Sequence, residues 1–268
     1  MSVVSTLWVD RDFGGLSKTS DSGPNFRILW NRWAATNDVF SSMRAWGRGD
    51  RGHAFAFEHI NFDGRFAALN VGNGQSSWWS YFGTAFNDVV SSSLIVVRAP
   101  NDIVVPLGQQ VSSTFASMFD AQAAGTPLAR VGNPQVYGNF FPGYDASRLF
   151  MTISQNLTVA ISGWPDYDAN VKYDVEFFLT GTKLHGRAKW SHVWVESGIF
   201  SQKVHDRIAP RLHGAKGSLT SAVENQLRLF ASRNFREVYL IPGPRPDMSQ
   251  FGYFAKHDDD VCLAVIPA

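Results

Sequence analysis

The sequence predicts two domains. Residues 1–100 read as an all-β sandwich of two similar halves, and residues 148–268 as an α+β domain with an antiparallel sheet and helices on one of its faces. Residues 101–147 read as a linker or extended lead-in. Three observations carry this. A pattern repeats at a spacing of about fifty residues in the first hundred. From Arg148 hydrophobic alternation holds, and it gives way to a helical period after residue 200. A chain of 268 residues with 44% hydrophobic and 14% aromatic side chains has the length and apolar content for two cores.

The repeat comes first. Trp8-Val-Asp-Arg-Asp-Phe13-Gly14-Gly15 and Phe57-Glu-His-Ile-Asn-Phe62-Asp63-Gly64 both read aromatic, four residues, aromatic, one residue, glycine. Each copy closes on a second shared stretch, Asn37-Asp38-Val39-Phe40-Ser41-Ser42 and Asn87-Asp88-Val89-Val90-Ser91-Ser92. The opening aromatics lie 49 positions apart and the closing stretches 50 apart. Two separate patterns at matching spacing mark a duplication.

Each pattern has a physical reading. Two aromatics five positions apart around a tight turn can pack ring on ring, and Gly15 and Gly64 supply a backbone conformation that a Cβ disfavours. In the closing stretch Asn and Asp enter a loop where their oxygens can bond local backbone or a cation, and Val and Phe return the chain to a strand. Between them lie short strand-like runs, Phe26–Trp30, Phe66–Val71 and Ser93–Val97.

The pair of signatures, Trp/Phe-x-x-x-x-Phe-x-Gly and Asn-Asp-x-x-Ser-Ser, resembles the βγ-crystallin superfamily over about residues 3–98. The resemblance implies that each copy is a four-stranded Greek key and that the two copies pair into one sandwich. It also implies two calcium ions held by crossed loops. Each loop gives a carbonyl and a side-chain oxygen to one ion, and its first serine hydroxyl reaches the other. Carried onto this chain, the ligands fall in Asn37, Asp38, Val39 and Ser41, and in Asn87, Asp88, Val89 and Ser91. The carbonyls of Val9 and Glu58 complete the sites. The chain departs from the family at Val9, where glutamate is common; a backbone ligand tolerates that. Calcium accepts six to eight oxygens, and a site with about one carboxylate binds in the micromolar to sub-millimolar range.

After residue 100 the reading turns to single elements. Residues 101–147 are rich in Gly, Pro, Ala and Asn, with a short helix over Ser112–Ala124 and turns over 138–143. Leu149–Ile161 alternates, with a break near Gln155-Asn156 that suits a hairpin or bulge. Val171–Leu179 alternates with Val171, Tyr173, Val175 and Phe177 on one face, and Leu184–Val195 is a further strand. Gln202–Leu212 is predicted as a helix kinked or broken by Pro210. Ser218 caps a helix whose Leu219, Val223, Leu227 and Phe230 share a face. Glu237–Ile241 and Val261–Ile266 close the order β-β-β-α-α-β-β, an α+β pattern.

Composition narrows the function. Net charge is +1, with nine Lys/Arg against eight Asp/Glu in residues 1–100, so neither half has the basic excess that nucleic acid requires. The start lacks a basic, apolar leader, and no run reaches the length of a transmembrane helix, which points to a soluble, cytoplasmic protein. The single cysteine, Cys262, forms no internal disulfide. His185, His192, His205 and His213 fit no catalytic or zinc spacing. Asp258-Asp259-Asp260 reads as a solvated acidic turn. Trp164, Trp190 and Trp194 could line a pocket for an apolar ligand, but core and interface roles are commoner for Trp. The expectation is a non-enzymatic calcium-binding protein with a structural, storage or stress-related role. The rival is a binding module whose second domain takes an apolar ligand, a membrane surface or a partner protein.

Overall fold

The computed structural model describes residues 2–23, 28–32, 39–60, 62–83, 87–98, 101–138, 149–242, 253–254 and 261–268. The chain forms two compact units, Met1–Asp102 with Gly243–Lys256, and Ile103–Pro242 with His257–Ala268. Among the described residues no helix is long and apolar enough to cross a membrane.

The first unit holds β1 (Ser2–Trp8), β2 (Ser17–Asp21), β3 (Ile28–Arg32), β4 (Ser42–Arg48), β5 (Arg51–His59), β6 (Asp63–Val71), β7 (Ser76–Trp79) and β8 (Ser92–Arg98). They form two antiparallel sheets. One runs β2-β1-β4-β7 and the other β6-β5-β8-β3. The third strand of each repeat therefore lies in the sheet built mainly by the other repeat. The core is one cluster that takes Leu7, Phe40 and Met43 from the first repeat and Phe82, Val90 and Ile95 from the second. Alternation along β5 sends Ala54 and Ala56 into that cluster and Phe55 and Phe57 to the opposite face. There Phe66 meets both rings, at 6.1 and 5.7 Å between centroids.

The second unit opens with β9 (Ile103–Pro106), α1 (Leu107–Ala123), β10 (Leu128–Gly138), β11 (Leu149–Val159), β12 (Tyr167–Thr180) and β13 (Lys183–Val195). It continues with α2 (Ser201–Gly214), α3 (Lys216–Leu227) and β14 (Phe235–Pro242), and after β15 (Tyr253–Phe254) it ends on β16 (Val261–Pro267). The sheets are β10-β11-β12-β13 and β14-β16-β9, both antiparallel. Val171, Tyr173, Val175 and Phe177 are 0% exposed, as their shared face predicts, and join one core with Phe115, Ile208 and Val223 of the three helices. The Tyr173 hydroxyl donates to Leu212 O of α2 at 2.7 Å, and burial raises its pKa well above the ordinary phenol range. Gly186 brings α3 close to β13, since a Cβ there would lie 2.6 Å from Val223 Cγ1.

Several expectations need correction. Residues 101–147 are not a linker as far as residue 138: they hold β9, a helix five residues longer at its start than expected, and β10. The turns expected at 138–143 lie outside the described residues beyond Gly138, as does Asp258-Asp259-Asp260. β11 runs unbroken through Gln155-Asn156, and the irregularity sits opposite, in β10 between Val131 and Gln135. Gln155 is buried, and its amide donates to Val131 O at 3.2 Å and Asn156 O at 2.8 Å, so a polar residue satisfies the backbone that the bulge leaves open. α2 passes through Pro210 without ending. α3 starts at Lys216 with no side-chain cap, and the Ser218 hydroxyl instead accepts from Gln122 Nε2 at 3.0 Å. The β6-β5-β8-β3 sheet also gains an edge strand that the repeat does not contain, because β15 pairs antiparallel with β6.

One buried polar residue makes this architecture sensitive to acid. His53 on β5 is 7% exposed, contacts Asn70 Oδ1 through Nδ1 at 2.6 Å, and leaves Nε2 without a hydrogen-bond partner among the described residues. Burial lowers its pKa from 6.5 to about 4; the bond to Asn70 opposes this, and Arg98 and Arg51 add to it. The unfolded chain therefore binds a proton between these values that the folded chain refuses. The stability contributed by the neutral ring is complete above the ordinary histidine value and is lost as pH falls toward the folded value, about 3 kcal/mol in all. Amide exchange in β5 should show wild type losing that much more protection than His53→Gln between neutral pH and pH about 4. Parallel curves for the two proteins would contradict the assignment.

Candidate metal centre

The site is built by two turns and two loops. In the first turn Val9 N–H donates to Leu16 O at 2.9 Å and Asp10 N–H to Gly14 O at 3.2 Å. Trp8 and Phe13 meet edge to face, with centroids 5.1 Å apart and planes at 69°. In the second copy Phe57 and Phe62 do the same at 5.8 Å and 77°. The predicted ring-over-turn packing is present twice, and it holds Phe13 and Phe62 at φ of 64° and 59°, where a residue with a Cβ is strained. Gly15, at φ 72°, sits where a Cβ would meet Asp10 Oδ2 at 2.6 Å. Gly64 lies in β6.

The loops close on these turns through matching hydrogen bonds. Ser41 N–H donates to Trp8 O at 2.8 Å, and Ser91 N–H to Phe57 O at 2.9 Å. The next serines reach the carbonyl two residues further on: Ser42 Oγ donates to Asp10 O and Ser92 Oγ to His59 O, both at 2.7 Å. A bridge between Phe40 and Val90 ties the two loops together.

The first serine of each loop stands at the candidate ion positions. Ser41 Oγ lies 2.5 Å from Val9 O and 2.7 Å from Asp88 Oδ1. A hydroxyl carries one proton, and a carbonyl and a carboxylate have none to give. Three oxygens thus converge with one proton among them, a cluster of hard donors that suits calcium. Asp88 is exposed, with φ 55°, and its other oxygen accepts from Asn87 Nδ2 at 2.6 Å. In the second cluster Ser91 Oγ lies 2.8 Å from Glu58 O and 3.4 Å from Val89 O.

These positions bear on the expected ligand sets directly. Val9, Ser41 and Asp88, drawn from three segments and both repeats, come together. Glu58 and Ser91 come together in the second cluster. Val39 and Val89 are half-buried beside the core. Asn37 and Asp38 lie outside the described residues. No group of three or more His, Cys, Asp or Glu side chains gathers among the described residues, so a site here relies on carbonyls and hydroxyls. Ser42 and Ser92 were missed as structural partners of the turns, although the Ser-Ser doublet in both copies was the available signal.

Ser42→Ala and Ser92→Ala should each lower the stability of the first unit by about 1 kcal/mol, because each buried hydroxyl gives up its hydrogen bond to a turn carbonyl. The loss should be the same in chelator and in calcium, since neither hydroxyl faces the clusters. Thermal unfolding in both buffers checks it. Comparison with protein families, characterised proteins and solved structures returns no match.

Proposed function

We propose that the first unit is a calcium-binding double Greek key of the βγ-crystallin type, and that calcium fastens its two repeats to each other. The observation that carries the reading is the Ser41 hydroxyl set between a carbonyl of its own repeat and a carboxylate of the other. The exchanged third strands and the paired edge-to-face rings support the same reading. Val9 O, Ser41 Oγ and Asp88 would hold one ion. Glu58 O, Ser91 Oγ, Asn37, Asp38 and the Val39 carbonyl would hold the second. An ion that draws on both repeats raises the free energy needed to part them. The role proposed for the whole protein is accordingly structural, storage-type or stress-related rather than enzymatic.

Calcium that binds the folded clusters and not the unfolded chain stabilises by about 2.7 kcal/mol per site at one hundred times Kd. For a unit of this size that is a rise of several degrees or more in its melting temperature. Thermal unfolding of the full chain in chelator and in millimolar calcium tests it. Asp88→Ala should remove most of the shift from the first site, and Ser41→Ala a smaller part. Identical melting in both buffers would leave the resemblance describing a fold without its ions. A full shift retained by both variants would place the ion elsewhere.

A further inference from the structure

The four-stranded sheet of the second unit covers its core with one face only. The strand pairings array the other face in rows. Asn156, Asn170 and Trp194 stand in one row, and the next holds Gln135, Ser154, Lys172 and His192. Beyond these come Tyr137, Thr152, Asp174 and Trp190. The first two rows and Tyr137 line an open cavity of about 520 Å³, a size typical of small-molecule sites. Its walls are amides, hydroxyls, an imidazole and an ammonium, with Val193 and the aromatic rings as the apolar parts. That lining argues against the apolar ligand considered for this domain, which would strip water from polar groups without replacing it.

Two features of the cavity stand ready for a ligand. The first is Trp194, which is 58% exposed and stacks on no ring among the described residues, whereas Trp190 packs on Phe150 at 5.0 Å and lies under the Lys189 ammonium at 4.6 Å. The second is Lys172, which has no acid partner among the described residues although its neighbours do. Asp174 accepts from Thr152 at 2.6 Å and faces His192 at 3.6 Å. Glu176 binds Arg187 at 2.8 Å and Lys189 at 3.2 Å. No carboxylate lines the cavity. Between these two features runs a fixed amide chain, in which Asn170 Nδ2 donates to Ser154 Oγ at 3.0 Å and to Asn156 Oδ1 at 2.8 Å. It orients the Asn156 amide with its own N–H groups unspent.

We propose that this face binds an acidic oligosaccharide, seating a pyranose ring on Trp194, its hydroxyls on the Asn156–Asn170–Ser154 chain and its carboxylate on Lys172. An indole face is negative and attracts the slightly positive axial C–H groups of a sugar ring. Sugar hydroxyls both donate and accept, which matches amide, hydroxyl and imidazole groups held in register. The uncompensated cation selects a uronate over a neutral sugar.

The test is titration of the full chain with trigalacturonate, triguluronate and a hyaluronan tetrasaccharide, each beside a neutral oligosaccharide of the same length, by tryptophan fluorescence and calorimetry. At least one uronate should bind saturably, about tenfold or more tighter than its neutral counterpart, and weaken with added salt. Trp194→Ala should lower that affinity about tenfold, and Trp194→Phe should keep part of it. Lys172→Gln should bring the acidic and neutral sugars level. All three side-chain changes lie on exposed surface, so melting temperatures should match wild type. Absence of saturable binding across the panel would overturn the proposal. So would neutral sugars binding as tightly as uronates, or affinity unchanged in Trp194→Ala.

Discussion

The hydroxyl of Ser41 sits where the two repeats of the first unit meet, and the strand exchange puts it there. β3 leaves the sheet of its own repeat to pair with β8, and β7 pairs with β4. The fourth strand of each repeat lies back in the sheet of its own repeat, so the chain changes sheets between Arg32 and Ser42 and between Trp79 and Ser92. The crossing sets the loops against each other at the Phe40–Val90 bridge and brings Asp88 of one repeat to Ser41 of the other. A hairpin carbonyl is already waiting, because the rings stacked over each turn fix the residue after the first aromatic. Sheet order, turn geometry and oxygen cluster are thus consequences of one another.

The energetic logic follows from proton counting. Among Val9 O, Ser41 Oγ and Asp88 Oδ1 one proton is shared, and a carboxylate at this distance needs a donor or a cation. Asn87 supplies one amide to the outer oxygen of Asp88. On the proposed reading, calcium would supply a charge that satisfies all three oxygens at once. Because such a site would use few formal charges, its affinity would be moderate and its occupancy would respond to calcium concentration.

The parts of this protein that depend on spacing along one strand or turn were legible in the sequence. The aromatic pairs at Trp8/Phe13 and Phe57/Phe62, the serine doublets and the Val171–Phe177 face all fall in that class. Elements whose pattern is diluted were read poorly. α1 buries Leu107, Val111, Phe115 and Phe119 at a stride of four, yet Gln, Ser and Ala between them obscure the stripe. β10 carries Gly and Pro at its bulge, and the bulge is completed by Gln155, which as a lone sequence position reads as a break. β15 has two residues and no periodicity at all. The rows on the open face exist only once the register of four strands is known, so Lys172 and Trp194 could not be related from the chain alone.

The most direct test of the account is anomalous diffraction from crystals of the full chain grown with calcium. The account predicts a peak about 2.3–2.6 Å from Val9 O, Ser41 Oγ and Asp88, and a second beside Glu58 O and Ser91 Oγ. Peaks confined to other places, or none while Ser41 still bonds directly to Asp88, would contradict it.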